Sequence, residues 1–285
     1  MLFVPNGAND LGAVLSTDTR PASSYGTSIT PSQTTTYGTP VQIGNDLTQD
    51  CYGILINANN ISSGGVFRQC VLQILVDYAG GTSWTEIAKD IVVSQAPSYQ
   101  LTGKWLYFPM YIPAGAAVAV AAITNTAGNI RVDIRYMSKP SNPTMVKRGS
   151  YIETVGVTIG AAGTVTAPSV TPGTAVTKPG WTLLGTTTKR CWWWQFSCQH
   201  SDTTMTALYY HVEIGVGDGT AAGTEAIIAN VLVSTSAAEA FTDIPIMQGI
   251  EKVVPAGSSI YGRAWNSGAN ENAGTFQIAA MGVGG

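Results

Sequence analysis

The chain has 285 residues and a formal net charge of −3, with 14 Lys+Arg against 17 Asp+Glu; 45% of its residues are hydrophobic and only 11% are charged. Soluble globular domains carry about 25% charged residues. With 32 Gly, 14 Pro and few Lys or Glu, the composition excludes coiled coils, helical solenoids and long charged disordered tails. No cluster of positive charge is available for phosphate contacts, so no nucleic-acid partner is expected. The most apolar run, Ala114 to Ile123, is half the ~20 residues a bilayer helix requires, and no membrane partner is expected either.

In chain order, the first segment begins Met1-Leu2-Phe3-Val4-Pro5-Asn6. Its first cation is Arg20, and Pro5, Asn6 and Asp10 interrupt the apolar stretch, so it does not read as a secretory signal, and synthesis in a cytoplasm is expected. Residues 1–38 are dense in Thr, Ser, Pro and Gly and read as an extended N-terminal arm. From there to residue 138, strand-like runs recur at short intervals: Cys51 to Ala58, Cys70 to Val76, Ile87 to Ser94, Trp105 to Ile112, Ala117 to Ile123 and Ile130 to Met137. Clusters of Gly, Asn, Ser and Pro separate them.

The second half repeats this pattern. Cys51-Tyr52-Gly53-Ile54 aligns with Cys191-Trp192-Trp193-Trp194 at an offset of 140 residues, and Gln73 to Val76 aligns with Glu213 to Val216 at the same offset. Asp90 to Ser94 meets Asn230 to Ser234, again at 140, and Ile112-Pro113-Ala114-Gly115 meets Val254-Pro255-Ala256-Gly257 at 142. The period-two alternation of strand side chains gives both copies the same inward face. In the first strand that face is Tyr52, Ile54 and Ile56 in copy one, and Trp192, Trp194 and Phe196 in copy two. In the next it is Cys70, Leu72, Ile74 and Val76 against Tyr210, Val212, Ile214 and Val216. No segment sustains a helical period with caps. The prediction is all-β: two tandem antiparallel β-sandwich domains from an internal duplication, residues 39–138 and 181–285, jelly-roll-like first and immunoglobulin-like second.

Between them, residues 139–180 form a Pro/Thr/Gly-rich linker with a predicted strand at 151–159. Two readings stand for it and for the arm: flexible connection, or order gained by lying across a neighbouring subunit. The four cysteines lack metal or redox spacing. Cys191 and Cys198 on one straight strand would be ~23 Å apart, so four free thiols are expected.

Catalytic constellations are missing from the sequence. The two histidines, His200 and His211, accompany no Gly-x-Ser-x-Gly elbow, and there is no phosphate-binding glycine loop and no Asp-x-Asp-x-Asp calcium loop. The only strand-borne acids with a case, Asp133 and Glu213, fall on the polar side of the alternation rather than as a facing pair. A non-enzymatic protein without cofactor or metal is expected. Alternation turns Trp193 outward beside Gln195, which leaves three readings of that indole: subunit interface, packing under the linker, or glycan contact. The outer face of the next strand carries Tyr209 and His211. Together with Trp265, a second candidate for a glycan groove, the candidate interface residues are Trp193, Gln195, Tyr209, His211 and Trp265.

The Pro-Ala-Gly turns at Pro113 to Gly115 and Pro255 to Gly257, each leading into a strand of small residues, resemble turns in virion structural proteins of tailed bacteriophages. So does the layout of tandem jelly rolls behind an extended arm. The resemblance spans residues 37 to 285 and implies a structural role on a virion, made in the host cytoplasm. It implies a capsid decoration or cement protein, or alternatively a tail, neck or fibre protein that binds a host-surface glycan or receptor. The partners it implies are further copies of the chain, most often as a trimer, and other virion proteins such as the major capsid protein.

Overall fold

The computed structural model describes residues 26–59, 68–95, 105–139, 148–173, 178–201, 208–217, 226–235, 241–244, 249–266 and 275–285. They are built from β-strands and a single 3-10 turn at Ala161–Gly163. Among them no helix is long and apolar enough to cross a membrane. The chain divides into two compact units: residues 1–152 with 159–165 and 283–285, and residues 153–158 with 166–282.

Unit 1 contains β1 (Thr27–Ile29), β2 (Val41–Gln42), β3 (Gly53–Asn59), β4 (Arg68–Asp77), β5 (Thr85–Gln95), β6 (Leu106–Phe108), β7 (Ala117–Thr124) and β8 (Ile130–Met137). They form two runs of hydrogen-bonded strands, β1-β8-β3-β6 and β5-β4-β7-β2. First pairs with last, second with seventh, third with sixth and fourth with fifth. That is the pairing of one long hairpin rolled up on itself, which defines a jelly roll.

The chain then passes through β9 (Tyr151–Val155), β10 (Thr158–Ile159) and β11 (Val165–Thr166). In unit 1, Ile152 of β9 lies parallel against Ala88 of β5.

Unit 2 holds β12 (Ser169–Val170), β13 (Thr182–Thr186), β14 (Cys191–Ser201), β15 (Leu208–Gly217), β16 (Ala226–Thr235), β17 (Phe241–Ile244), β18 (Ile250–Val254), β19 (Ser259–Asn266) and β20 (Thr275–Gly284). Here β12 pairs with β20, β13 with β19, β14 with both β17 and β18, and β15 with β16. The order of unit 1 is reproduced, with β17 and β18 together taking the place of β6 beside the third strand.

The registers agree as well as the order. Val71 pairs with Ile123 in unit 1, and His211 with Trp265 in unit 2; Gln73 pairs with Ala121, and Glu213 with Arg263. The offsets are the 140 and 142 of the sequence alignment. Cys51 meets Ile112 as Cys191 meets Val254. One-residue slips would reverse every side chain, so shared registers mean shared faces. The predicted inward faces are buried in both copies except at Tyr52 and Val216, which are half-buried: Cys70, Leu72, Ile74 and Val76 are fully covered, and Tyr210, Val212 and Ile214 are at most 1% exposed. Each such side chain contributes roughly 1.5–3 kcal/mol of burial.

The expected boundaries shift. Residues 26–38 are not arm: Thr27, Ser28 and Ile29 pair with Val132, Arg131 and Ile130, and Ile29 is fully buried. Residues 1–25 lie outside the described residues. The expected linker likewise contains β12, the first strand of the second jelly roll, where Ser169 and Val170 pair with Gln277 and Phe276. The predicted strand at 151–159 is two strands. Gly156 separates them at φ +79, a left-handed conformation that favours glycine, and a Cβ there would strike the Leu184 carbonyl. Strands of two or three residues flanked by Thr and Pro carry too little alternation to register in the sequence.

Ile29→Ala distinguishes strand from arm. As a core position it should lower stability by ~2–5 kcal/mol in urea unfolding, against under ~0.5 kcal/mol for a residue in a free arm.

Candidate interaction face

Two of the five candidate interface residues leave the surface. Trp193 is 5% exposed and Gln195 7%, and their neighbours Trp192 and Trp194 are 9% and 0% exposed, so β14 is buried on both faces. Alternation identifies the side of the strand correctly but not what covers that side. The cover for Trp193 includes the segment entering β18: Gly249 packs so closely on the indole that any Cβ would overlap the ring. Of the three readings of Trp193, interface, packing or glycan contact, the outward exposure that the first and third require is corrected: the indole is packed, with the segment entering β18 as part of its cover. The side chain of Tyr209 lies outside the described residues.

His211 and Trp265 do come together. They are register partners on β15 and β19, and their rings stack with centroids 5.0 Å apart at 8°. The same face holds Glu213, expected to be solvated and found 1% exposed. Three groups compensate its burial. Lys178 Nζ donates to Oε1 at 2.9 Å, Arg263 Nε donates to Oε2 at 2.8 Å with Nη2 at 2.6 Å, and Asn230 Nδ2 donates to Oε1 at 3.3 Å. Burial pushes the Glu213 carboxyl up, but the hydrogen bonds and charges of Lys178 and Arg263 outweigh it and hold the carboxyl below its ordinary range. The cations are also seated on aromatic rings: Lys178 Nζ lies 4.9 Å from the centre of Trp265, and Arg263 Cζ 4.1 Å from that of Trp181.

Lys178 lies between β12 and β13, where the described residues, 171–173 and 178–181, form a strap. Gly173 on this strap bridges to Trp265, and its N–H donates to the Ala264 carbonyl at 2.9 Å. Unit 1 has the same strap between β1 and β2. Ser32 bridges to Ile123, its N–H donating to the Ala122 carbonyl at 2.9 Å. Tyr37, the counterpart of Lys178 at an offset of 141, donates its hydroxyl to Asp90 Oδ1 at 2.8 Å and accepts from the Asp90 N–H at 3.0 Å. Asp90 is the counterpart of Asn230. It sits at a bulge with φ 57, and burial raises its carboxyl while the Tyr37 hydrogen bond partly restores it.

Neither Cys51 in unit 1 nor Cys191 in unit 2 is poised for thiolate chemistry. Cys51, Cys70 and Cys191 are buried free thiols, and the side chain of Cys198 lies outside the described residues. Burial, then Glu153, pushes the Cys191 thiol up to about 12, and burial pushes Cys51 to about 11, leaving both protonated at neutral pH.

No family model matches the chain, and no curated protein matches it. Among solved structures, a chain of the cryo-EM structure of broad bean stain virus is similar at 11% identity and TM-score 0.32, covering 93% of each chain. PNGase F, a glycosylasparaginase from Flavobacterium meningosepticum, is similar at 12% identity and TM-score 0.35, over 90% of this chain and 96% of that one. The tandem CBM22 domains of Paenibacillus barcinonensis Xyn10C follow at 10% identity and TM-score 0.26, over 88% and 84%. Likenesses at this level carry no argument about function; the jelly-roll assignment stands on the strand order above.

Glu213→Gln removes one partner of a buried cluster and should destabilise by ~3–5 kcal/mol at pH 7. The depressed carboxyl makes the effect pH-dependent with a definite sign. The stabilisation is complete above the unfolded-state pKa of about 4.3 and disappears as pH falls through the lower folded-state value. Urea unfolding of both proteins between pH 7 and pH 3 should therefore show the gap narrowing only on the acid side.

Proposed function

We propose that the chain is a non-enzymatic structural subunit of a virus particle, and that it decorates or cements a capsid by associating with copies of itself. The observation that carries this reading is the duplication itself: two jelly rolls in one register, each with a strap fastened across a sheet by polar groups. The best-placed charged cluster, around Glu213, serves as a clamp. Both of its carboxylate oxygens are held by the three groups Lys178, Arg263 and Asn230, so neither is open to a substrate proton.

Surfaces for association are at hand in unit 2. Leu183 on β13 and Ile227 on β16 are 52% and 51% exposed, and β13 and β16 end the hydrogen-bonded run β13-β19-β15-β16. Edge strands bearing large apolar side chains invite pairing with another chain. Cyclic closure around an axis would bury them without open-ended growth, and a trimer is the form adopted here.

Light scattering on the full chain should give three times the 29.8 kDa chain mass. Leu183→Lys and Ile227→Lys should each shift that mass toward the monomer while leaving the β-sheet circular dichroism unchanged. A monomer for the unmutated protein across the accessible concentration range would remove the proposal.

A further inference from the structure

The two copies differ at one sheet edge. β5 and β16 are counterparts: Val92 pairs with Val71 in unit 1 as Leu232 pairs with His211 in unit 2, at the offset of the repeat. The outer edge of β5 is taken, since Ile152 of β9 lies parallel against Ala88. β16 ends its run, and among the described residues no strand pairs with its outer edge. Ala226 and Ile227, at its start, are exposed.

An open edge presents a row of unpaired N–H and C=O groups, and folded proteins blunt such edges with charges, prolines, bulges or a cover. β5 carries Glu86, Lys89 and Asp90 as well as its cover. β16 is ten residues long, Ala-Ile-Ile-Ala-Asn-Val-Leu-Val-Ser-Thr, with no charged residue, no proline and no glycine. Left open, a strand of that composition is an aggregation hazard. What fits it is an uncharged extended segment that supplies main-chain hydrogen bonds and small or apolar side chains.

The chain contains such a segment outside the described residues. Residues 1–25 precede Gly26, the first described residue, which leads into β1. Their longest stretch without a charge or a proline is Leu11-Gly12-Ala13-Val14-Leu15-Ser16-Thr17, set between Asp10 and Asp18. As a strand it would span ~23 Å, within the ~33 Å of β16. Residues 18–25 allow up to ~28 Å of chain between it and β1. We infer that residues 11–17 of one copy add a strand to the outer edge of β16 in the next copy, lying along β16 as β9 lies along β5. The inference rests on the self-association reading and names a contact that carries it. Each copy gives one segment and receives one, so three copies close a ring with every β16 edge filled.

The test uses light scattering and amide hydrogen exchange on full-length chains. The unmutated protein should be a trimer, and Val14→Asp, which puts a charge in the middle of the added strand, should reduce the mass threefold. Ile227→Lys should do the same from the receiving side. Mixed together, the two variants should form a 1:1 pair of twice the chain mass, because one supplies an intact segment and the other an intact edge. Exchange of the outward amides of Ala226–Thr235 should be at least tenfold slower in the trimer than in Val14→Asp. A chain lacking residues 1–25 should behave as Val14→Asp does, alone and in the mixture. A trimer that survives both Val14→Asp and the deletion would overturn this inference and leave the self-association reading standing, whereas a monomeric unmutated chain would remove both. Two monomeric variants that do not pair on mixing, or β16 amides that exchange equally in trimer and monomer, would also overturn it.

Discussion

The structure depends on covering sheets that are apolar on both sides. All eight residues of β7, Ala-Val-Ala-Val-Ala-Ala-Ile-Thr, are buried. Facing sheets account for one side only; Ala119, Ala121 and Ile123 point to the other. Water against that side would forfeit roughly 25 cal/mol for each Å² of apolar surface. The sheet therefore needs a second cover. In unit 1 the 3-10 turn at Ala161–Gly163 helps supply it, its Gly163 close enough that a Cβ would lie 3.2 Å from Ile123 Cγ2.

A cover without regular pairing along its length must be fastened at points, and polar contacts supply them. The two copies solve this problem at equivalent positions with different chemistry. Tyr37 and Asp90 make a compact neutral-to-carboxylate pair, while Lys178 reaches past Asn230 to Glu213 and needs Arg263 to balance the charge. The hydrophobic pair Val71 and Ile123 in unit 1 corresponds to His211 and Trp265 in unit 2. Aromatic stacking there replaces aliphatic packing, and the larger rings provide seats for the cations that the buried carboxylate demands. Once Glu213 occupied a position held by Gln73 in the other copy, the cations around it became structural necessities.

Alternation and repeat spacing made the sandwich class, the duplication and the inner faces legible in the sequence, because each is a property of many residues at once. The strand order was not legible, since pairing partners leave no period. The short strands β1 and β12 escaped for a related reason: with two or three residues each, they are recognisable only through partners more than a hundred positions away. Trp193 and Glu213 failed for a third reason. Period two states which side of a strand a residue takes, whereas solvation of that side depends on a strap or a neighbouring loop.

The low charge content follows from the same constraint. Where both faces of a sheet are covered, few strand positions can hold an ionised group, so the acids gather at points where backbone needs a partner. Asp77 accepts from the N–H groups of Ala79 and Ser83 at 2.8 and 2.7 Å and closes the turn after β4. Asp50 accepts from the Ala114 N–H at 2.9 Å, in the Pro-Ala-Gly turn that the sequence marked as repeated. Glu153 accepts from the Thr188 N–H and hydroxyl at 2.6 Å and from the Lys189 N–H at 3.1 Å. Each replaces water for an exposed amide at a strand end, as a capping residue does for a helix. Asp50, Asp77 and Glu153, which look scattered along the chain, are thus each placed by the backbone amides they accept from.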